Sequence, residues 1–207
     1  MTADSTQVPV GDAPGEAKPA NWRDVGFWLK WGAFAVAALV VAAIVGAYFL
    51  PREPEVTRSI DIAAPRTAVF LLVADLRHLP DWSPQLAADP GVAIIYTGPL
   101  DGVGQTMTWK SKQPQVGSGV ETITAVAPDE TVEMSVRRAG QRATAAWFHL
   151  VEKGAGQTTV VWGFRADLGF NPISRYRGLA IDGMVGPDYE RGLARLKTLA
   201  EAPPKTD

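Results

Sequence analysis

The side chains able to do chemistry in this chain are few, and their types rule out whole classes of mechanism. There are two histidines and no cysteine. Thiolate catalysis, disulfides, cysteine-ligated zinc and iron–sulfur clusters are therefore excluded. A three-histidine metal site is impossible, and a two-histidine site would need carboxylate ligands. His149 falls in an apolar strand pattern and His78 in a proline-flanked turn. Because an imidazole titrates near neutrality, His149 is a candidate general base; its setting fits an edge or satisfied core position as well. Arg58 and Arg165 lie in phase with apolar neighbours or near strand centres. A guanidinium there can grip a carboxylate or phosphate with its planar fork, or reach solvent along its own stem. Asp182, Asp188 and Glu190 surround Gly186-Pro187. Carboxylates at such a break read as caps for a new helix start. No Gly-x-Ser-x-Gly elbow, phosphate-binding loop or metal motif occurs, and Gly102-Val103-Gly104 has no helix behind it to make a dinucleotide fingerprint. No residue is assigned a catalytic role, and no metal or cofactor is expected.

The elements that must position these groups follow from periodicity. Glu55–Ala63 alternates, with Val56, Ile60 and Ile62 on one face, as a half-buried strand does. Ala64-Pro65 breaks it, and Arg66–Leu76 carries Val69, Phe70, Val73 and Leu76 at helical spacing. A short second helix or turn holds Trp82 between prolines. Period two then takes over. Strands are predicted at Val92–Tyr96, Gln105–Ser111, Gly119–Val126, Glu130–Arg137, Arg142–Val151 and Thr158–Leu168, joined by Gly or Pro-Asp turns. This spacing predicts an antiparallel meander. Asn171 and Pro172 open a closing helix, which Gly186-Pro187 is expected to kink or break before it resumes at Asp188.

Ahead of this domain runs the uncharged stretch Trp31–Leu50, WGAFAVAALVVAAIVGAYFL. At about 1.5 Å per residue it spans roughly 30 Å, the thickness of a bilayer's hydrocarbon core. Trp28 and Trp31 mark one end, Tyr48 and Phe49 the other, at the depth amphipathic rings favour. The expected plan is a disordered tail over residues 1–24, a transmembrane helix over 25–50, a linker over 51–54, one domain over 55–201 and a short disordered tail over 202–207. Lys18, Arg23 and Lys30 precede the span and Arg52, Arg58 and Arg66 follow it, so the positive-inside rule sets the two sides level. An exported domain is the expectation carried forward. Net charge is −2 with both signs interspersed, which gives nucleic-acid binding no support.

The order strand, helix, helix, strands, long helix resembles the SRPBCC superfamily, the helix-grip fold of START-like and polyketide cyclase/dehydrase-like proteins. The resemblance rests on RSIDIAAPRTAVFLLVADLRHLPDWSP (58–84), GPLDGVGQTMTW (98–109), GSGVETIT (117–124) and DLGFNPISRYRGLAIDGMVGPDYERGLARLK (167–197). It implies an α+β fold in which a curved antiparallel sheet wraps a long C-terminal helix, here preceded by one transmembrane helix. It also implies a cavity between sheet and helix for a hydrophobic or amphipathic small molecule.

Met107, Trp109, Trp147, Trp162, Phe164, Tyr176, Leu179 and Met184 are the expected lining, with Arg58, His149 and Arg165 as polar contacts; each large residue reads equally as core packing. The function expected is membrane-anchored binding of a lipid, isoprenoid or quinone-like molecule. An enzyme of the cyclase or dehydratase type is the alternative, which needs a titratable group such as His149 or Asp182 in the cavity. A third reading is a partner-binding module, with a filled core and an exposed apolar patch. The ligand and the membrane, through residues 25–50, are the expected partners; a protein partner is left unassigned.

Overall fold

The computed structural model describes residues 22–154 and 156–203. The tails expected at either end fall outside the described residues over 1–21 and 204–207. Two compact units divide after Ala43. The described part of the first is residues 22–43 of the helix α1, Trp22–Ala47, whose last turn belongs to the second unit. Every residue from 27 to 45 on α1 is exposed, and Phe27–Ala47 is long and apolar enough to cross a bilayer. The helix ends by tightening. Tyr48, Phe49 and Leu50 donate to the carbonyls three residues back at 3.0, 3.1 and 3.2 Å, before Pro51 removes the next donor.

The second unit contains a seven-stranded antiparallel sheet in the order β1-β7-β6-β5-β4-β3-β2. Its strands are β1 (Glu55–Ile62), β2 (Ala93–Thr97), β3 (Thr106–Lys110), β4 (Ser118–Ala127), β5 (Thr131–Arg138), β6 (Thr144–Gly154) and β7 (Gln157–Ala166). Strands β2 to β7 form the meander that the short turns imply, and β1 closes the sheet against β7. Alternation decides which residues go inside. Val132, Met134, Ala146, Phe148, Leu150, Val160 and Phe164 are buried on one face, while the residues between them point the other way. Bulges between Ile123 and Ala125, and between Glu152 and Gly154, interrupt the register, where a strand bends and twists more strongly.

Helices α2 (Arg66–Val73) and α3 (Leu79–Trp82) close one end of the inner face. Trp82 meets Phe148 and Trp162 edge-on, at ring separations of 5.6 and 5.3 Å. The fully buried Gln105 ties this cap to the β2–β3 connection: it accepts from Leu76 N–H at 2.7 Å and donates to Asp75 and the Leu100 carbonyl, each at 2.6 Å. A buried amide is tolerated because its hydrogen bonds are made.

The chain ends in α4 (Pro172–Gly178) and α5 (Ile181–Ala200). The break expected at Gly186-Pro187 is absent: Pro187 lies inside α5, and the helix is interrupted at Leu179-Ala180 instead. Arg58 offsets the lost hydrogen bond by clamping the helix on both sides of the proline, pairing with Asp182 at 2.9 and 3.1 Å and with Glu190 at 2.8 Å. Gly186 lets that guanidinium approach, since a Cβ there would stand 2.1 Å from Arg58 Nη2. Gly192 does the same for the Trp162 ring, 2.7 Å from the position its Cβ would take. These two glycines bring α5 down onto the inner face of the sheet.

Candidate functional site

Polar residues on the inner face are rare, and two of them come from neighbouring strands. Glu121 shares its phase with Gly119 and Ile123 on β4; Arg138 shares its phase with Val132, Met134 and Val136 on β5. The register sets Glu121 between Met107 and Val136 and pairs Gly119 with both Trp109 and Arg138. Gly119 is needed there, because a Cβ would fall 2.4 Å from the Trp109 ring and 2.7 Å from the Arg137 carbonyl. The indole thus lies across the strand and forms a wall beside the carboxyl group.

The opposite wall comes from α5. Tyr189 stacks on Trp162 at 3.7 Å between ring centroids and 9° between planes, and Trp162 stacks in turn on Phe148 at 5.2 Å. The rim is held by a small polar network. Arg138 donates to the Gln85 side-chain oxygen, while Gln85 Nε2 and Trp109 Nε1 both donate to the Val116 carbonyl, at 3.2 and 3.4 Å.

Glu121 itself is only 9% exposed. It makes no hydrogen bond to another described residue. Among the described residues no fully sealed polar side-chain atom lacks a partner. The Glu121 carboxyl oxygens are therefore not completely sealed by apolar packing. Burial pushes its pKa up to about 7, with the Arg138 charge holding it down only in part. Burial pushes the Tyr189 hydroxyl up, and the nearby Glu121 adds to that shift. The Arg138 guanidinium is drawn down by burial, opposed by Tyr189 and Glu121. A carboxyl group poised near neutrality, a phenol and a guanidinium thus lie close enough to influence one another among apolar side chains on the inner face. Such a set can orient the polar end of an amphipathic molecule or exchange a proton with it.

A family model described as "Polyketide cyclase / dehydrase and lipid transport" matches residues 53–201. The chain belongs to that family. Solved structures share the fold at low sequence identity. The Zhui aromatase/cyclase from Streptomyces sp. R1128 is 15% identical, with 72% of this chain and 94% of that one aligned at a TM-score of 0.52. Truncated norcoclaurine synthase from Thalictrum flavum is 14% identical, with 73% and 95% aligned at 0.52. A Thermobifida fusca protein is 19% identical, with 70% and 95% aligned at 0.52. No curated protein matches the chain in sequence.

The residues that the sequence put forward as a cavity lining divide between the two faces of the sheet and the closing helices. Met107, Trp109 and Phe164 are buried on the inner face, and Trp162 lies there half-buried. Trp147 and His149 do not line the interior: they alternate with the buried Ala146, Phe148 and Leu150 and so face outward. His149 is exposed, its Nδ1 3.2 Å from the Thr131 hydroxyl. Arg165 also points outward, donating to Glu55 at 2.8 Å and lying 5.5 Å over the Trp147 ring. These residues line an open groove of about 500 Å³ on the outer face. Tyr176, Leu179 and Met184 are exposed, because α4 precedes the helix that packs on the sheet and Met184 lies on the outer side of the first turn of α5. Arg58 faces inward, but Asp182 and Glu190 occupy its donors. Asp182 is correspondingly committed: the Arg58 guanidinium holds its pKa below the ordinary carboxylate value.

Glu121, Arg138, Tyr189 and Gln85 were not foreseen. For Glu121 the signal was there, a lone carboxylate in phase with Ile123. For Arg138 it lay one residue past the strand end predicted at Arg137.

Proposed function

We propose that this domain binds an apolar or amphipathic small molecule between the inner face of the sheet and α5, with α1 holding it at the membrane where such a molecule dissolves. The observation that supports the reading is Glu121, a nearly buried carboxyl group on the inner face that makes no hydrogen bond to another described residue. Trp109, Trp162, Tyr189 and Val136 would cover the apolar body of the ligand, and Arg138 and Glu121 would meet its polar end. Tethering raises the effective concentration of the cavity near its ligand, and burial of apolar area, at roughly 25 cal/mol per Å², supplies the affinity.

The test is titration of residues 44–207 with an apolar naphthalene-sulfonate fluorophore. Saturable one-to-one binding is expected. Val136→Trp, which fills the space beside Glu121, abolishes it, and Thr57→Trp in the outer groove leaves it unchanged. Binding that survives Val136→Trp and is lost with Thr57→Trp would move the site to the outer face.

One observation favours a second reading, an acid–base enzyme of the cyclase or dehydratase type. A carboxyl group with a pKa near 7 is suited to both giving and taking a proton at neutral pH. The two readings separate on Glu121→Gln, which keeps the shape of the space and removes proton transfer. A carrier variant still binds and releases its ligand, whereas an enzyme variant binds without turnover.

A further inference from the structure

Apolar side chains lie exposed along the segment that joins the sheet to α5. Phe170 is 69% exposed, Ile173 64% and Leu179 65%, with Met184 one turn further at 72%. This segment is tied to the backbone where α1 ends. Arg175 is buried, and its Nη1 donates to the carbonyls of Tyr48 and Leu50 at 3.1 and 3.2 Å, with a longer contact of 3.5 Å to Ala47. Tyr48 and Leu50 lie just past the end of α1, where backbone carbonyls must find partners outside the helix. The guanidinium also lies 5.2 Å from the Tyr48 ring centroid. Gly46 permits the close approach, since a Cβ there would stand 3.2 Å from the Tyr176 hydroxyl. A second tie comes from Leu168 N–H, which donates to the Arg52 carbonyl at 3.0 Å. Arg52 itself lies over the Phe170 ring at 5.0 Å.

We propose that α4 and its flanks form a second membrane contact, with Phe170, Ile173 and Leu179 seated at the headgroup boundary of the bilayer. The inference rests on α1 crossing that bilayer. Phe49, 85% exposed, continues the apolar surface from the helix end. The exposed Arg177 supplies a cation at the depth of the lipid phosphates, while Arg52 is paired with Asp167 at 2.9 and 3.0 Å. An apolar strip continuous with the end of a membrane span, flanked by aromatic and basic residues, fits the interface between hydrocarbon and water. Arg175 then has a mechanical role: it fixes α4 to the backbone of Tyr48 and Leu50.

The absence of cysteine in the natural chain allows a direct test. Single cysteines are placed at Ile173, Leu179, Val40 and Val103 in the full-length protein, labelled with a fluorophore and reconstituted in phosphatidylcholine nanodiscs with or without bromine on the lipid acyl chains near the headgroup. Val40 reports the span. Val103, exposed in the β2–β3 connection at the far edge of the sheet, is the aqueous control. The proposal expects loss of emission in brominated lipid at Ile173, Leu179 and Val40, and none at Val103. Loss at Val40 alone leaves the anchor standing and overturns the second contact. No loss at any position overturns the anchor itself. Self-quenching between labels at Ile173, without a bromine effect, assigns the surface to a second copy of the chain and overturns the bilayer as its occupant.

Discussion

The two faces of the same sheet carry nearly the same side chains and use them in opposite ways. Outside, Glu55, Arg165, Trp147 and His149 lie together; inside, Glu121, Arg138, Trp109 and Tyr189 do. The outer arginine donates to Glu55 at 3.3 and 2.8 Å and rests on an indole, so each charge has its partner and water screens the remainder. The inner carboxyl group has an arginine near enough to affect its pKa and no hydrogen bond to it. Side-chain identity is therefore a poor guide to a site; a one-residue change of phase, which moves a group from water to the interior, is the decisive variable.

That contrast is broken first by its aromatic residues. Trp162→Ala, inside, is expected to destabilise the domain by about 3–5 kcal/mol, since it removes a ring stacked on both Phe148 and Tyr189 and leaves a cavity. Trp147→Ala, outside, loses a half-solvated ring and is expected to cost about 1 kcal/mol. Urea denaturation followed by circular dichroism compares them, and equal costs would mean that both faces are packed interiors.

The carboxylates sharpen it next. The folded pKa of Glu121 is raised, so its contribution to stability is fully present below the ordinary glutamate value and is lost as pH rises through about 7. Between those limits the wild-type domain should lose on the order of 3 kcal/mol. Glu121→Gln should flatten that dependence, whereas Glu55→Gln on the outer face should leave it as it was. Asp167 works in the other sense. Hydrogen bonds from Arg52 and the Gly169 N–H hold its pKa below the ordinary aspartate value, so its contribution is present at neutral pH and lost on acidification. The smallest effect is expected for Glu55→Gln at neutral pH. Its exposed pair with Arg165 should contribute nothing that denaturation resolves.

The comparison also shows what the sequence made legible. The meander of successive strands and the helices that open and close the domain followed from periodicity and turn residues, because alternation and helical spacing are local properties; the pairing of β1 with β7 is not local and did not. Met107 and Trp109 could be assigned inward for the same reason. Trp147 could not be separated from Trp162 by type, and β6 is apolar in both phases around Trp147, Phe148 and Leu150, so its direction depended on neighbours. Pro187 misled because its usual effect was outweighed by Arg58, a residue far away in sequence that clamps both sides of it. Arg138 became visible only when register placed it beside Gly119, and its bond to Gln85 crosses between elements that no local pattern connects.

The most direct test of the account is native mass spectrometry of the full-length chain, purified from its own host and released from detergent in the spectrometer, beside the Val136→Trp variant. The account predicts an added mass, one molecule per chain, on the wild type and none on the variant, with lipid extraction naming its chemical class. A wild-type chain that is bare in the spectrometer, and whose residues 44–207 also fail to bind the naphthalene-sulfonate probe, would contradict the claim that the space beside Glu121 is a ligand site.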